Sequence, residues 1–235
     1  MTFDKPLLQA ILIRRYKRFL ADVELADGTV ITAHTPNTGS MLGCCTPGSK
    51  VWLSESDKPG RKYRHGWELV EASPKILVGI NTGLANALVS EAVTGGVITE
   101  LQGYAGLRRE VPYGNENSRI DMLLEDGPQP DCYVEVKNVT LAEDDIAYFP
   151  DAVSKRGSKH LRELEAVCRQ GGRGVIVFCV QREDAVEFRP ADHIDSEYGA
   201  TLRRALDGGV EALAYRARVS ERAVTLEAPL PVVTP

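Results

Sequence analysis

Ser118-Arg-Ile-Asp-Met-Leu-Leu-Glu-Asp-Gly-Pro-Gln-Pro-Asp-Cys-Tyr-Val-Glu-Val-Lys-Asn138 combines a strand-like alternation and a turn signal with Asp121, Glu135 and Lys137. A period of two along Cys132–Asn138 puts Cys132, Val134 and Val136 on one face of a strand and Tyr133, Glu135 and Lys137 on the other. Asp126-Gly127-Pro128 is a turn signal, so the strand bearing Asp121 is expected to pair antiparallel with it. Asp121, Glu135 and Lys137 then converge at one end of a hairpin, provided the register sets them on the same face.

That constellation suits metal-assisted hydrolysis of a phosphodiester. Two carboxylates and a backbone carbonyl, for which Val136 is the natural candidate, offer hard oxygen ligands to Mg²⁺ or Mn²⁺. Such an ion polarises the phosphate and lowers the pKa of a bound water. Lys137 can orient that water or stabilise the developing negative charge. Glu91, expected on the solvent side of the helix preceding the sheet, is a further candidate ligand. The plainer reading of Glu135-x-Lys137 is an ion pair on a half-exposed strand, worth at most about 1 kcal/mol. The elements around the triplet favour the chemical reading.

Outward from the hairpin, residues 81–235 alternate between helix and strand. Asn81 or Thr82 caps a helix with Leu84, Leu88 and Ala92 on its apolar face, and Gly95-Gly96 stops it. Extended runs follow at 107–112, 118–124 and 132–141. A long helix is expected from about Asp151 to Gln170, with Val153, Leu161, Leu164 and Val167 inward. Gly171-Gly172 ends it and leads into the wholly apolar strand 174–180. Asp195 caps a last helix reaching Gly208-Gly209, and a strand over 210–219 closes the series. The core order is α-β-β-β-α-β, an α/β layer structure.

Residues 1–80 read differently. Short β-branched runs are separated by Asp27-Gly28, Pro36-Asn37, Pro47-Gly48 and Lys58-Pro59-Gly60, the pattern of a small all-β barrel or sandwich. The charge also divides here. The whole chain of 235 residues carries −5, but the first 80 hold 11 basic and 8 acidic side chains, leaving the acidic excess to the remainder. A net negative charge argues against a nucleic-acid partner only if it is spread evenly. Ordinary apolar and charged fractions, 43 % and 26 %, exclude disorder and collagen-like repeats. Five cysteines without C-x-x-C spacing exclude a disulfide framework and argue against zinc. No apolar run is long enough for a membrane span, and the basic residues follow the apolar N-terminal run, so a cytoplasmic protein is expected.

Several basic segments could meet a phosphate backbone. Arg14-Arg-Tyr-Lys-Arg-Phe19, read as a strand, puts Arg14, Tyr16 and Arg18 on one face and Arg15, Lys17 and Phe19 on the other. Charge beside aromatic rings suits a barrel groove that tracks nucleic acid, and it equally suits a charged edge strand protected against aggregation. Lys155, Arg156, Lys159 and His160 gather on the long helix at one-turn spacings. The loop His34–Ser40 is rich in short donors and reads as phosphate contact or plain turn chemistry. Gly43–Lys50 has P-loop glycine spacing, but the wrong terminal order and no following helix, so ATP binding is excluded. The helix after Asp195 leads into a strand, which weakens a helix-turn-helix reading.

At this point the chain resembles the sugar fermentation stimulation protein A family over nearly its whole length. The resemblance is carried by Arg14–Val23, Ala33-His-Thr-Pro-Asn-Thr-Gly-Ser-Met41, Val78-Gly-Ile-Asn-Thr82, Glu100–Tyr104, Ser118–Asp121, Cys132–Leu141, Phe149-Pro-Asp-Ala-Val153, Arg156-Gly-Ser-Lys-His-Leu-Arg-Glu-Leu164 and Val180-Gln-Arg182. It implies an N-terminal OB-like β-barrel (residues 1–80) followed by a PD-(D/E)xK nuclease-like α/β domain (residues 81–235). It also implies a DNA-binding protein without strong sequence preference, linked to regulation of sugar (maltose) utilisation. Asp121, Glu135 and Lys137 match the nuclease motif by position, with Ile120 where a proline often stands. Fold membership alone does not make an enzyme. The expectation is thus a Mg²⁺- or Mn²⁺-dependent DNA-directed hydrolase. Its alternatives are a non-catalytic DNA-binding regulator and an RNA- or nucleotide-binding module, and a homodimer is compatible with any of them.

Overall fold

The computed structural model describes residues 1–114 and 118–235. The chain begins with β1 (Leu8–Tyr16), β2 (Leu20–Leu25), β3 (Val30–His34), β4 (Lys50–Glu55), β5 (His65–Ser73) and β6 (Ile76–Gly79). They hydrogen-bond in the order β3-β2-β1-β4-β5-β6, and a bridge from His34 to Gly66 joins β3 back to β5. Five strands thereby close into a barrel, which removes their free edges. Bulges at Leu12/Arg14 and Trp52/Leu53 supply the bending that closure demands. Leu12, Val23, Val51, Leu53 and Trp67 fill the interior, and the Trp67 indole is satisfied by the Leu69 carbonyl at 2.8 Å.

The second half starts with a 3₁₀ turn whose Asn81 side chain accepts from Gly83 N–H, and continues as α1 (Ala85–Thr94). Then come β7 (Gly106–Tyr113), β8 (Ser118–Glu125), β9 (Cys132–Val139), β10 (Leu141–Glu143), β11 (Ile146–Phe149), α2 (Lys155–Arg169), β12 (Arg173–Val180), β13 (Glu187–Pro190), α3 (Ser196–Asp207), β14 (Glu211–Val219) and β15 (Val224–Leu230). The main sheet runs β15-β14-β12-β9-β8-β7. Its centre, β9-β12-β14, is parallel, and both flanks are antiparallel. Helix α1 packs on one face with Val134, Val136, Val175 and Val177. Residues of α2 and α3 cover the other with Ile176 and Phe178. Because β12 is covered on both faces it has no polar side, which explains its unbroken apolar run.

Three details depart from the sequence reading. Helix α2 begins at Lys155, four residues later than expected, because Ser154 is its cap and its Oγ accepts from Gly157 N–H at 3.1 Å. Val153, expected on the inner face of that helix, precedes it and is 69 % exposed. Neither the small sheet β10-β11-β13 nor the edge strand β15 was anticipated. One carboxylate ties the two helices together: Asp195 accepts from Tyr198 N–H to start α3 and from Ser154 N–H beside the start of α2. Among the described residues, no helix is long and apolar enough to cross a membrane.

The barrel joins the main sheet through backbone as well as side chains. Gly79 N–H donates to the Gln181 carbonyl at 2.9 Å just beyond β12, and Val78 bridges to Arg182. Gln181 is fully buried and donates to Asn138 and to the Asn81 carbonyl. The loop after β3 docks on the same region: Met41 N–H donates to the Asp151 carboxylate at 2.9 Å, and Ser40 Oγ to its carbonyl. A methyl group at position 79 would come within 2.3 Å of the Gln181 side-chain oxygen. Gly79→Ala is therefore expected to cost about 1–3 kcal/mol by overpacking the junction, read as a lower midpoint in urea unfolding; an unchanged midpoint would show that the junction yields freely.

Candidate metal and nucleic-acid site

The antiparallel ladder between β8 and β9 runs through Leu124–Cys132, Leu123–Tyr133 and Met122–Val134. One residue further along, Asp121 takes over from the ladder. Its Oδ2 accepts from Val136 N–H at 2.7 Å, while Oδ1 accepts from Asn86 of α1 at 2.8 Å. The strands part where the carboxylate inserts, so Asp121 and Glu135 come together at the place the hairpin reading anticipated.

Glu135 is 3 % exposed. Its Oε1 accepts from Lys137 Nζ at 2.5 Å and forms a very short contact with His160 Nδ1. The other ring nitrogen, Nε2, accepts from Arg156 Nε–H at 3.3 Å. With Nε2 accepting, Nδ1 carries the ring proton and donates to Glu135. Both donors thus fall on one carboxylate oxygen, and Oε2 is buried without a partner among the described residues. Burial alone would raise the Glu135 pKa, but the His160 hydrogen bond and the Lys137 charge outweigh it and hold the group below the usual carboxylate value. Asp121 goes the other way. Burial first, and then the neighbouring Glu135 charge, raise it despite the Val136 and Asn86 hydrogen bonds.

A cleft of about 350 Å³ opens over this cluster, lined by Glu110, Ser118, Arg119, Asp121, Arg156, Lys159 and His160. Lys155, one turn before Lys159, is exposed. The structure thus brings Asp121, Glu135, Lys137, Arg156, Lys159 and His160 together. It does not bring Glu91 to them: that carboxylate pairs with the N-terminal ammonium at 2.8 Å, and Asn86 is the α1 residue that reaches Asp121. Five helical positions rotate Glu91 well away from Asn86.

Two further expectations are corrected. His160, expected to face a phosphate, is 5 % exposed on the inner side of α2 with Leu161 and Leu164, and both ring nitrogens are engaged inside the protein. Lys17, Arg18 and Phe19 do not continue β1 but form its turn to β2, with positive φ at Lys17 and Arg18. Arg15 is spent on structure, donating to the carbonyls of Arg18, Asn37, Gly39 and Ser40. Arg14 remains exposed, paired with Asp22 and lying over the Tyr16 ring. Arg119 was missed because an exposed strand arginine carries no sequence signal of its own; Asn86 was missed because the acidic Glu91 on the same helix looked the better ligand.

Among the described residues no group of three His, Cys, Asp or Glu side chains is placed to hold a metal ion. The fit to a divalent ion rests instead on the two carboxylates, Asp121 and a Glu135 whose Oε2 is unpartnered among the described residues. These are hard oxygen donors of the kind Mg²⁺, Mn²⁺ and Ca²⁺ take.

An OB-like barrel joined to an α-β-β-β-α-β sheet, with Asp, Glu and Lys at the opening of its hairpin, defines a two-domain protein of mixed α and β structure. The chain belongs to the sugar fermentation stimulation protein family: residues 13–80 match its N-terminal OB domain and residues 83–223 its RE domain. It is 60 % identical over 233 residues to the sugar fermentation stimulation protein homolog of Citrifermentans bemidjiense, covering 99 % of this chain and 100 % of the relative. It is 59 % identical to that of Thioalkalivibrio sulfidiphilus, covering 99 % and 98 %. The structure of Pyrococcus furiosus SfsA in complex with Ca²⁺ is similar with a TM-score of 0.88 at 29 % identity, covering 99 % of this chain and 98 % of that one.

Two outcomes are expected. Arg15→Ala should destabilise the protein by about 2 kcal/mol or more, since hydrogen bonds from a charged group contribute about 1.5–3 kcal/mol, whereas Arg14→Ala should leave the denaturation midpoint within about 0.5 kcal/mol of wild type; equal losses would contradict the assignment. For Asp121, whose pKa is raised in the fold, ionisation is a cost to the folded state that is absent below its ordinary value of 3.8 and complete above the folded value. Asp121→Asn should therefore raise the melting temperature of chelator-treated protein at pH 7, with the gain shrinking as pH falls toward 3.8. A gain independent of pH would rule out this cause.

Proposed function

We propose that this protein binds DNA and hydrolyses its phosphodiester bonds with Mg²⁺ or Mn²⁺, the chemistry residing at Asp121, Glu135 and Lys137. The observation that carries the reading is the pair of buried carboxylates, one with an unpartnered oxygen and the other with its pKa raised by burial and then by the charge of the first. Both features are relieved by a bound cation. The Ca²⁺ complex of the Pyrococcus relative supports a divalent ion in this family.

Asp121, Glu135 and the Val136 carbonyl would hold the ion. When bound, it supplies Lewis-acid polarisation of the phosphoryl group and lowers the pKa of water. His160 keeps Glu135 oriented so that Oε2 stays available. Lys137 Nζ, beside that carboxylate, orients the attacking water and offsets the negative charge that develops on the phosphate. Arg119, Arg156 and Lys159 around the cleft receive the flanking phosphates, and Lys155 extends that surface. Arg14, Lys17 and Arg18 at the rim of the barrel add contacts that are independent of sequence.

A second reading, a DNA-binding regulator without catalysis, is favoured by one feature: both oxygens of Asp121 are already hydrogen-bonded. The relatives' name connects them with sugar fermentation, and either reading would act on it through DNA. Cleavage of plasmid and single-stranded DNA separates the two, with RNA as a competing substrate. The nuclease reading expects Mn²⁺-dependent cleavage lowered at least about 100-fold in Asp121→Ala and Lys137→Ala, and preserved in Glu91→Ala. Retained, salt-sensitive DNA binding with no cleavage in any metal would leave the regulator; preferential RNA binding would overturn both.

A further inference from the structure

The ladder between β7 and β8 pairs Arg109 with Met122 and Val111 with Ile120. Between those pairs it passes over Glu110 and Asp121, which stand opposite each other. Directly opposed residues of an antiparallel pair share a face, and like charges there repel. Glu110 also has φ of 54°, in the left-handed region that a side chain enters only at a cost. Every other described non-glycine residue with positive φ lies outside the strands and helices. Arg119 Nη1 donates to the Glu110 carbonyl at 3.0 Å and braces the distorted segment.

Nothing inside the protein offsets these costs through the side chain. Glu110 is exposed, and its carboxylate has no hydrogen-bond or ion-pair partner among the described residues. It lines the cleft of about 350 Å³ together with Asp121, Arg119, Arg156 and His160. An anion in that position also opposes an incoming phosphate backbone. Strained residues of this kind cluster at functional sites, where the strain sets the aim of a side chain.

Hydrolysis needs a group that accepts a proton from the attacking water. Lys137 does not supply it: its ammonium is bonded to Glu135 at 2.5 Å, and an ammonium only donates. His160 donates to Glu135 through Nδ1 and accepts from Arg156 at Nε2. Asp121 accepts at both oxygens, and it and Glu135 would hold the cation. Among the described residues that line the cleft, Glu110 is left as the acid–base group without a partner. We infer that Glu110 is the general base of this hydrolysis. The proton of the water passes to a Glu110 carboxylate oxygen as the water oxygen bonds to phosphorus. The bridging P–O bond breaks, its electron pair leaves with the sugar oxygen, and that oxygen takes a proton from solvent. Glu110 then returns its own proton to solvent.

This role rests on the proposed nuclease function, and its test separates the two. Full-length wild type, Glu110→Gly and Glu110→Gln are assayed for Mn²⁺-dependent cleavage of plasmid DNA and for binding of a labelled DNA duplex in chelator. Glycine adopts positive φ freely, so Glu110→Gly is expected to keep or raise the melting temperature. Both variants are expected to bind the duplex at least as tightly as wild type, because one anion has left the cleft. Cleavage is expected to fall about 100-fold or more in both, the lower end of general acid–base contributions. Added formate, compared with sodium chloride at equal ionic strength, is expected to restore part of the rate in Glu110→Gly by supplying the missing carboxylate. A smaller loss in either variant, a loss matched by weaker DNA binding, a lower melting temperature in Glu110→Gly, or a loss there that formate leaves unchanged would overturn the assignment. A wild type that cleaves, with Glu110 variants that cleave equally well, keeps the nuclease reading and loses only the base. A wild type that cleaves in no divalent metal loses both.

Discussion

Two carboxylates held close together out of water set the terms for the rest of this structure. Asp121 and Glu135 repel each other, and burial makes both charges costlier. The fold answers asymmetrically. Glu135 receives Lys137 from its own strand and His160 from α2, and stays ionised readily. Asp121 receives only neutral donors, Val136 N–H and Asn86, and its pKa rises. Three elements must therefore be in register before the cluster exists: the β8–β9 hairpin, the first helix and the inner face of α2.

That requirement explains features that look unrelated. Helix α2 has to start where His160 will face Glu135, and its start is fixed by the Ser154 cap, itself held by Asp195 at the head of α3. The loop before α2 is held in turn by the barrel, because Asp151 anchors Ser40 and Met41. Arg15 then ties the same barrel loop to β1 through Asn37, Gly39 and Ser40. The motif segments around Asn37, Asn81, Asn138, Asp151 and Gln181 meet at this junction. They make the barrel part of the support for the sheet that carries Asp121 and Glu135 as well as a surface beside it.

Much of this was legible in the sequence where one physical rule dominated. The period of two on β9 sorted Glu135 and Lys137 from Val134 and Val136, because that strand has one face in each core layer. The glycine pairs and the Asp195 cap marked helix ends. The rest depended on tertiary context. Strand β15 carries Pro229, which reads against a strand and is tolerated only because β15 is an edge. Strands β10, β11 and β13 are three or four residues long and have no usable periodicity. Glu91 and Asn86 share one helix, and only the packing of α1 on the sheet decides which of them reaches Asp121. His160 sat in a basic run, and its neighbours Lys155, Arg156 and Lys159 made it look like surface.

On this reading Asp121 and Glu135 together hold a divalent cation. Anomalous scattering from a crystal soaked in Mn²⁺ tests it most directly. A manganese peak is expected between the Asp121 carboxylate and Glu135 Oε2, absent from crystals of Glu135→Gln. Strong manganese peaks elsewhere on the molecule, with none between these two side chains, would contradict it.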